Sequence, residues 1–239
     1  MKQEKPTKIW WKTVVREHWP LVGWLTGGGM AATLWLGSEW LPYGVAELLA
    51  MAVRMALTRG HHELGLAHFA DGMVRHGRDR STIVAAMSRK RAGVPGVLAV
   101  AVYCGALAVA LYVLEPRHAA LTVFAADPFA RMLSSQIAMM LPYIPDGADS
   151  RLSVYRTMGV REGVILALEG LLPGLACCWL LGTEADWQLL IAVPCVVMYA
   201  LYRVVAARLR GYTSSCRSAC FLLCELAILL TAAYCMGLA

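Results

Sequence analysis

Residues able to do chemistry are concentrated in one stretch of this 239-residue chain, TRGHHELGLAHFADGMVRHGRDRSTIVAAMSRKRAGVPG from Thr58 to Gly96. It holds His61, His62, His68 and His76, the acids Glu63, Asp71 and Asp79, and the basic residues Arg59, Arg75, Arg78, Arg80, Arg89, Lys90 and Arg91. Such polar density suits an anionic substrate such as a pyrophosphate, with a divalent ion between opposing charges. The plainer reading is a basic loop that only fixes orientation in a membrane; the histidines and carboxylates favour a site. A second candidate lies in an apolar run, where Asp127 and Arg131 stand four apart with Ser135 on the same helical face. Ionisable groups in such surroundings are costly. They mark either a substrate cleft or a pair that neutralises itself, and both readings stand.

The elements that must position these residues follow from composition. Apolar residues make up 59% of the chain and charged residues 16%, against about 25% charged in an ordinary soluble domain. A soluble protein of this size leaves too much of its surface exposed to hide that much apolar area. A cytosolic globular domain, a disordered chain and a secreted disulfide scaffold are excluded. The remaining class is an all-α polytopic integral membrane protein, with room for about seven spans of ~20 residues. Apolar segments fall at 21–42, 43–58, 93–114, 118–141, 162–182, 187–206 and 218–238. No repeat or long linker divides them, so residues 1–239 read as one domain. Residues 1–20 form an interfacial segment and 59–92 a cytoplasmic site loop.

Orientation follows from lysine and arginine. With the N-terminus inside, 19 of the 22 basic residues collect on the cytoplasmic side, Arg117 alone lies opposite, and Arg54 and Arg131 lie within spans. An N-in, C-out chain also accounts for the net charge of +6 without a nucleic-acid partner. Trp10, Trp11, Trp19, Trp40 and Trp187 sit near span ends and read as interfacial anchors. The eight cysteines lie mostly in apolar runs with no CxxC pair, and read as packing residues. Glu47 and Arg54, seven apart, are a candidate pair, while Glu169 and Glu225 should face the bundle interior.

The segment His62-Glu63-Leu64-Gly65-Leu66-Ala67-His68-Phe69-Ala70-Asp71-Gly72 resembles the signature of the adenosylcobinamide-GDP ribazoletransferase (cobalamin synthase) family, approximately H-E-D-G-L-A-D-x-x-D-G. The likeness extends to Gly23-Trp24-Leu25-Thr26-Gly27-Gly28, to Asp127-Pro128-Phe129 with Ser134-Ser135-Gln136, to Leu141-Pro142-Tyr143, to Arg210-Gly211-Tyr212-Thr213, and to Phe221 through Leu226. It therefore runs from about residue 20 to 230 in the family's order. The resemblance implies transfer of a nucleotide-activated corrinoid from adenosylcobinamide-GDP to a hydroxyl of α-ribazole or its 5′-phosphate. The products are adenosylcobalamin or its phosphate and GMP, and Mg²⁺ is the expected cofactor. It also implies an inner-membrane location, a lipid environment and other corrinoid-pathway enzymes as neighbours.

Carried over by position, the expected catalytic residues are Asp71, Glu63, His68 and Arg91, with Asp71, Glu63 and His68 as metal ligands. His62, Arg89, Lys90, Asp127, Arg131, Gln136 and Thr213 are the expected substrate-binding residues. The chain departs from the family where acids are expected. On a helix the three aspartates of the signature form one stripe, which reads Leu64, His68, Asp71 here. An acid of the next motif is Arg89, and the last aspartate is Ser215. His61, His68 and Asp71 could instead suit a softer ion such as Zn²⁺ or Mn²⁺. The lost acids leave a second reading open, a corrinoid- or partner-binding membrane scaffold without transfer activity. A small transporter built on Asp127 and Arg131 ranks last, because inverted repeats are not visible.

Overall fold

The computed structural model describes residues 18–74, 79–89, 91–145, 159–181 and 186–236. Among these the regular structure is entirely helical: α1 (Trp19–Trp40), α2 (Tyr43–Thr58), α3 (His61–Val74), α4 (Arg80–Met87), α5 (Val94–Val113), α6 (Pro116–Met140), α7 (Val160–Leu181), α8 (Trp187–Leu209) and α9 (Ser214–Met236). Each of the seven apolar segments coincides with a helix among the described residues. Four helices, α5, α7, α8 and α9, are long and apolar enough to cross a membrane. Of the others, α2 has only 16 residues, α6 carries Arg117, Asp127 and Arg131, and glycines and tryptophans dilute α1. The protein is a helical membrane protein.

The described residues of the stretch 59–92 are largely helical, forming α3 and α4, and α3 is part of the bundle. Arg59 and Gly60 take left-handed conformations at φ 53° and 62°, which ends α2 and turns the chain back. Buried positions His62, Leu66 and Phe69 then recur at helical spacing. The glycines of α3 mark close approaches rather than breaks. A Cβ on Gly65 would stand 2.4 Å from the Ser218 Cβ of α9, and one on Gly72 would stand 2.7 Å from the Met87 side chain of α4.

Helix α6 lies at the centre, with its residues buried almost continuously from Thr122 to Ser135. Helix α1 packs along it most extensively, and α9 and α7 flank it. The approach of α1 is close because Gly23 and Gly27 face Asp127 and Pro128; a Cβ on Gly23 would lie 2.8 Å from the Pro128 nitrogen. Helix α3 packs against both α9 and α5. Within the apolar windows, α9 is 72% buried and α8 only 17%, so α9 belongs to the core and α8 lies at the periphery. Two of the separate motifs meet at the end of α6. Ile144 N donates to Tyr212 O (2.7 Å) and Tyr212 N donates to Pro142 O (2.9 Å). All eight cysteines are free.

Candidate functional site

Arg131 is the organising residue of the buried polar centre, at 1% exposure. Its Nε donates to Asp127 Oδ1 (2.5 Å), one turn earlier on α6. Its Nη2 donates to Thr26 Oγ1 (3.1 Å), and the Thr26 hydroxyl donates to Asp127 Oδ2 (2.7 Å). The triangle fixes the guanidinium plane. The Arg131 Cζ lies 5.1 Å from the Trp19 ring centroid and 4.5 Å from that of Phe221, while the Arg217 Cζ lies 4.4 Å from the Trp19 centroid. These are cation–π distances. Trp19, expected as an interfacial anchor, is 6% exposed; the guanidinium contacts draw it into the bundle.

His62 closes this centre from α3. Arg131 Nη1 stands 3.3 Å from His62 Nε2. Arginine has no acceptor, so Nε2 must accept and the neutral imidazole carries its proton on Nδ1. Its pKa is lowered to about 2 by burial first, then by its neighbours Arg131, His61, Arg217 and Arg54. His62 Nδ1 is buried with no hydrogen-bond partner among the described residues. The Phe221 ring packs against His62 at 4.8 Å.

A second buried network adjoins the first through Glu63. Arg54 was expected to pair with Glu47, but positions seven apart are about 10 Å apart along a helix axis, and Arg54 reaches across helices instead. It pairs with Glu225 of α9 in a short contact, donates to the Tyr103 hydroxyl of α5 (2.7 Å), and lies 3.4 Å from Glu63. Tyr103 donates to Glu225 Oε2 (2.9 Å). Glu63 Oε2 and Glu225 Oε1 have no partner among the described residues. Glu169, also expected inside, meets His18 at the start of α1.

The remaining sequence candidates are placed apart. Asp71 is buried, and its carboxylate accepts from Gly93 N (2.5 Å) and Gly96 N (2.9 Å), so it caps the start of α5. Leu64 on the same stripe is 46% exposed, and His68 is half-buried with Nε2 unpartnered among the described residues. Thr213 is fully buried and lies 3.4 Å from Cys216 N at the start of α9. Gln136 is half-buried on α6, Arg89 and Arg91 are exposed, and Lys90 lies outside the described residues. The expected dication does not fit this donor set. Asp71 is held by two backbone donors, Glu63 faces Arg54, and no three His, Cys, Asp or Glu side chains gather for a metal among the described residues. Sequence reasoning missed Trp19, Arg217, Phe221 and Tyr103. Thr26 and Phe221 were inside recognised motifs, but nothing in the spacing of these residues signalled a shared centre.

A helical membrane bundle that buries Arg54 of α2, His62 and Glu63 of α3, Asp127 and Arg131 of α6 and Glu225 of α9 defines a class: a membrane protein with a buried, charged polar centre. The chain belongs to the cobalamin-5-phosphate synthase family, whose sequence profile matches residues 7–233. Among similar proteins is the adenosylcobinamide-GDP ribazoletransferase of Leptothrix cholodnii, 32% identical over 222 residues covering 91% of this chain and 83% of that protein. The proteins of the same name from Shewanella sp. strain W3-18-1 and Ralstonia nicotianae are 31% and 32% identical, covering 87% and 82% of this chain and 79% and 75% of their own length. No solved structure matches the chain.

Proposed function

We propose that this protein is a transferase of cobalamin biosynthesis, joining adenosylcobinamide-GDP to α-ribazole or its 5′-phosphate and releasing GMP. The observation that carries this reading is the match of the family profile to residues 7–233. A ribazole hydroxyl oxygen forms a bond to the corrinoid-side phosphorus, the bond from that phosphorus to the bridging oxygen breaks so that GMP leaves with that oxygen, and the hydroxyl proton is released to water. The residues best placed to bind substrate are His62, Asp127 and Arg131. Asp127 holds the guanidinium, and the guanidinium and imidazole orient acceptor oxygens in surroundings where hydrogen bonds to charge are strong. Arg89 and Arg91, being exposed, are suited to a first, loose contact with phosphate. No step is assigned to Mg²⁺, because the described residues do not build its cradle.

The chain is read as seven spans, N-terminus cytoplasmic and C-terminus outside, in the inner membrane with the site facing the cytoplasm. The basic-residue asymmetry supports that orientation. Lipid and other corrinoid-pathway enzymes are its natural neighbours. The scaffold alternative rests only on the replaced acids, whereas the transferase reading rests on most of the chain. The deciding experiment supplies adenosylcobinamide-GDP and α-ribazole to purified protein in lipid vesicles and measures cobalamin and GMP. Stoichiometric appearance of both is expected. A folded, monodisperse protein that makes neither, in an assay where a relative is active, overturns the reading in favour of the scaffold.

A further inference from the structure

The positions where the family resemblance expects cation-binding acids are turned to other purposes here. Leu64 is apolar and exposed, Arg89 is itself a cation, Ser215 is buried in α9, and Asp71 is committed to the backbone of Gly93 and Gly96. Electrostatic neutralisation of a pyrophosphate must then come from another source. Around Trp19 the structure offers one. We propose that this chain seats the pyrophosphate of its substrate against the guanidinium–imidazole face around Trp19, without a divalent cation held by α3. The inference rests on the transferase reading for the identity of the substrate, and only for that.

Three features support it. Arg131 is pre-organised by Asp127 and Thr26, so little side-chain freedom remains to be lost when an anion arrives. His62 Nδ1–H is a buried donor that lacks an acceptor among the described residues, a costly state that an acceptor oxygen would relieve. Arg131 and Arg217, whose guanidinium carbons lie 5.1 and 4.4 Å from the Trp19 ring centroid, supply the positive charge that would attract a phosphate. Asp127 opposes them, which is why the contribution of Arg217 beside Trp19 matters.

The test uses GDP as the probe, with guanosine as the uncharged control, binding to the purified full chain in nanodiscs by calorimetry. GDP should bind in EDTA with a Kd within about threefold of that in Mg²⁺, and guanosine about tenfold more weakly, the loss of charge-assisted hydrogen bonds. His62→Gln, which keeps an amide only near the Nε2 position, should weaken GDP about tenfold; His62→Asn, which places an amide donor near Nδ1, should recover most of it. Arg217→Gln should weaken GDP similarly, while Arg203→Ala on exposed α8 should have no effect. Binding that vanishes in EDTA and returns with Mg²⁺ overturns the proposal, and that comparison needs no variant to fold. Equal affinities for His62→Gln and His62→Asn, in variants with wild-type unfolding midpoints, also overturn it. Transfer activity that requires Mg²⁺ would sink this inference and keep the transferase, whereas cation-independent GDP binding without any transfer would do the reverse.

Discussion

His62 keeps its imidazole neutral because it is buried among cations, and that has a measurable consequence. Below an ordinary value of 6.5 the unfolded imidazole takes up a proton that the folded one refuses down to about 2. Stability is therefore complete above the unfolded value and falls with decreasing pH, by about 1.4 kcal/mol per pH unit for one proton. Thermal unfolding between pH 6 and pH 4 should show this loss, and His62→Asn should flatten it. An unchanged slope in the variant would mean that His62 is hydrated. Asp71 makes a different residue-scale prediction. Asp71→Ala leaves the Gly93 and Gly96 N–H groups without their acceptor and should cost about 1–3 kcal/mol, read as a lower unfolding midpoint and faster amide exchange at the start of α5. Loss of activity with unchanged stability and exchange would show that Asp71 works as chemistry and not as a cap.

Between elements, the α1–α6 contact sets the geometry of the site. Gly23 lies where a Cβ would be 2.9 Å from Asp127 Oδ1 and 2.8 Å from the Pro128 nitrogen. Gly23→Ala should force the helices apart, cost about 1–3 kcal/mol as an overpacked core does, and displace the Asp127–Arg131 pair. Gly105 on α5 is the control, since a Cβ there meets nothing within 4 Å. Gly105→Ala should be neutral or stabilising by up to about 1 kcal/mol through helix propensity. Comparing the two unfolding midpoints separates a packing requirement from a general intolerance of change. The Arg54 network gives a second contrast. Arg54→Met leaves Glu225 buried without its partner and should cost about 3–5 kcal/mol, the usual effect of breaking a buried pair.

For the molecule as a whole, orientation is the quantity to measure. Glu115, between α5 and α6, is 79% exposed, and Arg80 at the start of α4 is also exposed. In inverted and right-side-out vesicles, membrane-impermeant thiol labelling of Arg80→Cys and Glu115→Cys should report opposite faces, with Arg80→Cys on the cytoplasmic side. Labelling of both from one side would remove the N-in, C-out topology.

Hydropathy alone determined that this chain is a helical membrane protein, because a continuous apolar run has few alternatives to a helix in lipid. The order of motifs in the chain pointed to the family, and the spacing of Asp127 and Arg131 announced their pairing, since contacts four residues apart are local. What only the tertiary structure decided were the long-range choices. The charged stretch 59–92 looked like a loop, yet α3 is buried because α9 and α5 supply close-packed surfaces for Gly65, Leu66 and Phe69. Arg54 bypassed Glu47 for Glu225, 171 positions away. Asp71 became a cap for α5, and Trp19 left the interface for Arg131. Each of these outcomes depends on which side chains the fold brings within a few ångströms, and a one-dimensional pattern does not encode distances between residues far apart in the chain.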